Sequence, residues 1–134
     1  MGAEVFIDAN IFIEIFLKDR KSEDCKKFLN SLSEDSIQAL TSDFVLYSCL
    51  IAVQNRLKNA EQLGNVIIFF NNYQKLNILR PSFDEFYNAI ELMEHHKLDF
   101  DDSLVLSCMQ KFGIKKLASL DKHFDKIKSI ERIF

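Results

Sequence analysis

Short apolar runs alternate with segments of helical period from one end of the chain to the other. The runs are Val5–Ile7, Ile37–Leu40, Leu76–Leu79, Leu117–Leu120 and Ile130–Phe134. Successive side chains of a strand face opposite sides, so Val5–Ile7, the one run with no polar position, suits burial on both faces. Such strands, separated by helices, belong to a parallel sheet covered on both sides. The fold class predicted is α/β with a mostly parallel central sheet. One domain over residues 1–134 is expected, long enough to bury a core without disulfides or a structural metal.

The helical segments carry recognisable ends. Ile11–Leu17 follows Asp8 and Asn10 directly. Ser22 is placed to cap a helix with Cys25, Phe28, Leu29 and Leu32 on one face. Thr41 or Ser42 caps a third helix. Leu57, Ala60, Leu63, Ile67 and Phe70 share helical spacing, which favours helix over strand for Val66–Phe70. Ser82-Phe83-Asp84-Glu85 reads as a capping box. The helix after it ends at His95-His96-Lys97, where cations suit the negative terminus. A helix is predicted from Ser103 to about Phe112, closed by Gly113.

Composition removes several classes of protein. One Pro and three Gly in 134 residues argue against disorder. No run of about 18 apolar residues exists to span a membrane. The N-terminus lacks the pattern of a signal peptide, so a cytoplasmic protein is expected. Cys25, Cys49 and Cys108 are far apart and fall in apolar helical patterns, which predicts buried free thiols. The net charge of −3 disfavours a general nucleic-acid coat protein. The charge is uneven, however: residues 111–134 hold seven Lys/Arg against three Asp/Glu. That permits a basic patch beside an acidic site.

The carboxylates point to the chemistry. Asp8 and Asp121 each end an apolar run, and Asp101 and Asp102 open the helix that leads into the run before Asp121. In open parallel sheets, ligands gather at the carboxyl ends of strands. Right-handed crossovers place those ends on one edge. Each Asp alone is explained as a helix cap. Together they would form a cluster that cannot stay ionised without a cation. Oxygen donors select Mg²⁺ or Mn²⁺ over zinc. A hard cation on an open acidic cluster suits phosphoryl chemistry.

Three segments taken in order resemble the PIN-domain ribonucleases. They are Val5-Phe6-Ile7-Asp8-Ala9-Asn10, then Asp102-Ser103 with its apolar helix, and then Ser119-Leu120-Asp121-Lys122-His123-Phe124-Asp125. The length is similar to that of VapC-type toxins of toxin–antitoxin pairs. The resemblance implies a PIN-like three-layer α/β/α fold and a Mg²⁺- or Mn²⁺-dependent endoribonuclease. It also implies an RNA substrate, a homodimer and a cognate antitoxin. Asp8, Asp102 and Asp121 would be the catalytic metal ligands. Asn10, Asp101, Ser119 and Asp125 would stand behind them. Lys115, Lys116 and Lys122 lie near Asp121 in sequence and are candidates for the RNA path.

One position departs from the family. Its third helix normally carries a Glu about six residues after the opening Ser or Thr. Here that position is Ser48. A rival reading follows from it, a degenerate PIN module that binds RNA or a protein partner without cutting. A weaker third reading is a small phosphohydrolase acting on a soluble phosphate ester.

Overall fold

The computed structural model describes residues 4–134. Five strands form one sheet in the order β3-β2-β1-β4-β5. They are β1 (Glu4–Ile7), β2 (Gln38–Ser42), β3 (Leu76–Leu79), β4 (Lys116–Ala118) and β5 (Glu131–Arg132). Every pairing between them is parallel. The register sets Val5 beside Ala39 and Lys116, so β1 is the central strand. Val5, Phe6 and Ile7 are fully buried, which explains why that run has no polar alternation.

Among the described residues six helices cover the sheet: α1 (Ala9–Phe16), α2 (Ser22–Glu34), α3 (Asp43–Leu57), α4 (Ala60–Asn72), α5 (Phe83–His96) and α6 (Phe100–Phe112). α1 packs on α2 and α3, and α3 packs on α4, while α5 and α6 pair with each other. Phe12 and Phe16 of α1 meet Phe69 and Phe70 of α4 at ring-centroid distances of 4.8–6.0 Å. Those contacts account for four of the phenylalanines that make this chain so aromatic. Cys25, Cys49 and Cys108 are buried free thiols, as expected. Among the described residues no helix is long and apolar enough to cross a membrane.

Several boundaries differ from the sequence reading. The segment from Leu57 to Phe70 is not one helix. α3 ends at Leu57, Lys58 turns left-handed (φ 52°), and Asn59 caps α4 through its side chain. β4 stops at Ala118, so Asp121 lies three residues beyond the strand and caps a 3₁₀ turn over Lys122–Lys126. α6 begins at Phe100, not Ser103, with Asp99 at its N-cap. Ser82 caps α5 by backbone conformation alone; its hydroxyl donates to the Glu85 carboxylate and accepts no amide. Gly113 closes α6 at φ 68°, a conformation that favours glycine.

Candidate active site

Because every strand runs the same way, their carboxyl ends share one edge. Asp8 leaves β1 there, Ser42 and Asp43 leave β2, Arg80 leaves β3 and Ser119 leaves β4. A cleft of about 240 Å³ opens at that edge, and Asp8, Asn10, Ser48, Asp101, Asp102 and Asp121 all line it. A larger cavity, about 620 Å³, lies between α2, α4 and the segment before β3 and holds none of these carboxylates.

Asp8 is both a helix cap and a cleft residue. Its Oδ1 accepts the Ala9 amide at 2.8 Å, and its Oδ2 accepts the Ser119 hydroxyl at 2.8 Å. Asn10 completes the arrangement. Its Nδ2 donates to Ser119 Oγ at 3.1 Å and, at 3.5 Å, to Asp8 Oδ2. Its Oδ1 accepts the Leu120 amide at 3.0 Å. Ser119 Oγ also accepts the Asp121 amide at 3.1 Å. Ser119 is wholly buried, so its single O–H is committed to Asp8. The net effect is that the ends of β1 and β4 are stitched together around one carboxylate.

The electrostatics follow from this packing. Burial pushes the Asp8 carboxyl up to about 6; the Ser119 and Ala9 bonds oppose the rise, and the Asp121 and Asp101 charges add to it. Asp102 is pushed up to about 7, first by burial and then by the charges of Asp101, Asp8, Asp121 and Asp99. Two carboxyls that titrate near neutrality beside further acids form a site that favours a cation.

His123 is a neighbour that the sequence reading did not include. Its Nδ1 lies 2.9 Å from Asp121 Oδ1, and its backbone amide donates to the same oxygen at 2.9 Å. Asp102, Asp121 and His123 can bring one ligand atom each within 4.8 Å of one another. The only signal for it in the sequence is its place two residues after Asp121. The cluster is therefore not carboxylates alone: an imidazole stands against Asp121 at its rim. Carboxylate donors fit Mg²⁺ or Mn²⁺, and the imidazole orients Asp121 from outside.

The remaining candidates divide. Asp101 is exposed at the cleft rim, and its Oδ1 accepts the Asp102 amide at 2.9 Å. Asp125 does not line the cleft; it holds Arg132 through two bonds of 2.7 and 3.1 Å. That pairing lowers the Asp125 carboxyl. Arg132 in turn donates to the Ser119 and Phe134 carbonyls, which fixes the end of β5 against the Ser119 turn. Lys122 follows Asp121 and is exposed. Lys115 and Lys116 stand at the amino end of β4. Ser119 comes three positions after Lys116, roughly 10 Å along the strand. From α3, Phe44, Val45 and Ser48 line the cleft, and none of them is acidic.

An α/β domain with an Asp cluster, partly buried, at the carboxyl edge of a parallel sheet is the class that these features define. The PIN domain family model matches residues 5–130, and the chain belongs to that family. Among curated protein sequences none matches it. Three solved structures share the fold. VapC20 of Mycobacterium tuberculosis, a Sarcin-Ricin loop cleaving toxin, is 16% identical with a TM-score of 0.80, over 96% of this chain and 98% of that one. VapBC2 of Rickettsia felis, bound to a DNA fragment from its promoter, is 19% identical with a TM-score of 0.74, over 97% of each chain. A toxin–antitoxin complex from Klebsiella pneumoniae is 19% identical with a TM-score of 0.72, over 96% and 99%.

Proposed function

We propose that this protein is a Mg²⁺- or Mn²⁺-dependent endoribonuclease and the toxin of a toxin–antitoxin pair. The observation that carries the reading is the meeting of Asp8, Asp102 and Asp121 in one cleft, two of them with carboxyls raised to about 6 and 7. Asp8, Asp102 and Asp121 would hold the cation. Bound there, it would neutralise the scissile phosphate and supply a water acidic enough to act as nucleophile. The chain's own residues do the positioning. Ser119 and Asn10 keep Asp8 in one orientation, and His123 does the same for Asp121. Lys122, exposed beside Asp121, would meet the RNA backbone. In-line attack on phosphorus breaks the bond to the 3′ oxygen, which leaves with a proton. The products carry a 5′-phosphate and a 3′-hydroxyl.

The structural neighbours are toxins and toxin–antitoxin complexes, which supports an antitoxin partner here as well. A homodimer in the cytoplasm completes the proposal. It is tested by incubating the protein with single-stranded RNA in Mg²⁺, Mn²⁺ or EDTA. Cleavage that needs the cation and disappears in Asp8→Asn supports it. Cleavage that survives both conditions refutes it.

One observation favours a second reading. α3 brings Phe44, Val45 and Ser48 to the cleft, and so contributes no carboxylate. A module that binds RNA or a partner without cutting would show cation-dependent binding and no product.

A further inference from the structure

The cleft does not end at its carboxylates. Phe44 lines it, and from Phe44 a line of aromatic rings leads away over α6 and α5. Phe44 meets Phe100 at a centroid distance of 6.4 Å with the rings at 87°. Phe100 meets Phe86 at 6.4 Å, and Phe86 meets Phe83 at 6.1 Å. The far rings are not core residues: Phe83 is 76% exposed and Phe100 36%. Their ring neighbours are Phe44 and Phe86, which pack against the core.

A cation stands beside this line. Arg80 leaves the carboxyl end of β3, the same edge at which Asp8 leaves β1. It is 86% exposed, and its Nε lies 4.0 Å from Asp43, the residue before Phe44. Exposed aromatic rings with a guanidinium at the same edge of the sheet are the two elements that hold single-stranded nucleic acid. Bases stack on the rings, and the backbone is drawn by the charge. An apolar ligand alone would not need Arg80, and a phosphate alone would not need the rings.

We propose that the Phe44–Phe100–Phe86–Phe83 line, with Arg80, is a stacking subsite for unpaired nucleobases flanking the scissile phosphate. It rests on the nuclease reading only for its starting point, the cleft. The strand crosses the carboxyl edge from Asp8 past β2 toward β3, and its bases lie on the exposed rings. Paired RNA has no free base faces there and gains nothing from them.

The test uses the full chain carrying Asp8→Asn, with a labelled 12-nucleotide RNA, Mn²⁺ and fluorescence anisotropy, alongside cleavage kinetics in the Asp8 protein. Phe83→Leu and Phe100→Leu keep apolar volume and remove the ring. Each is expected to weaken single-strand binding about tenfold, raise KM and leave kcat within about twofold. Phe83→Trp, at a position open enough to accept it, should bind at least as tightly as the parent. A duplex of the same sequence should respond to none of these changes. Unchanged single-strand affinity in both Leu variants, while the parent still binds and the Asp8 protein still cuts, overturns the subsite and leaves the nuclease reading standing. Loss of self-association in the Leu variants at unchanged RNA affinity also overturns it, and gives the face to a second copy of the chain. No RNA binding by the parent and no cleavage by the Asp8 protein in any divalent cation removes both readings.

Discussion

Replacing Asp8 by Asn keeps the side-chain shape and removes a charge that burial and the neighbouring acids both disfavour. Cleavage is expected to fall by at least about 100-fold, since the charge that would hold the cation is gone. Metal-free stability should stay level or rise by a few degrees in a thermal melt. Relief of repulsion is partly offset because the amide has one acceptor oxygen where the carboxylate serves both Ala9 and Ser119. Ser48 makes the opposite experiment. It lines the cleft half-buried, so Ser48→Glu brings a fourth acid toward the cluster. Mn²⁺ affinity by calorimetry should tighten about tenfold, and melting in EDTA should fall. Tyr47→Glu, on a side chain 53% exposed, should leave the affinity unchanged. Asp8, Asp102 and Asp121 were legible because each ends or begins an apolar segment in a parallel α/β pattern. His123 was not, because an exposed His two residues past an Asp is common and the 3₁₀ turn that folds its ring back onto Asp121 leaves no periodic signature.

The elements explain which basic residues can serve the cleft. Lys115 and Lys116 are close to Asp121 in sequence, but β4 carries them to the amino edge of the sheet, whereas Lys122 lies past its carboxyl end. Lys122→Ala should reduce the slope of log affinity against log salt by about one phosphate contact. The Lys115→Ala/Lys116→Ala pair should leave the slope as in wild type. Binding measured at two salt concentrations decides it; equal slopes for all three proteins would take Lys122 off the RNA path. The strands and helices themselves were readable from alternating apolar runs. Two details were hidden, and each has a local cause. Leu120 continues the apolar run beyond β4, yet the Ser119 hydroxyl accepts the Asp121 amide and turns the chain first. The break between α3 and α4 rests on a left-handed Lys58, where sequence would lead one to look for Gly or Asn.

At the scale of the whole molecule the acidic cluster sets the pH response. An unperturbed Asp titrates near 3.8, while Asp8 and Asp102 titrate near 6 and 7 in the folded protein. The folded state thus holds protons that the unfolded chain has released. Their contribution to stability is full below about pH 4 and is lost as pH rises through 6 and 7. Asp125 and Glu85, whose carboxyls are lowered, act the other way, but only at the acid end. Without metal, melting temperature should therefore decline from pH 5 to pH 8. Saturating Mg²⁺ should flatten that decline, because a bound cation favours the ionised carboxylates. Melts across this range with EDTA and with Mg²⁺ test both statements; a metal-free curve that rises with pH would contradict the cluster. The hydrogen bond from Ser119 to Asp8 also joins positions 111 residues apart. A ribosome adding about 5–20 residues per second needs several seconds to pass from one to the other. Throughout that interval the nascent chain holds Asp8 without the hydroxyl that orients it, and without Asp102 or Asp121 until late. The order of synthesis thus keeps the cluster at the carboxyl edge incomplete until Ser119 and Asp121 have both been added.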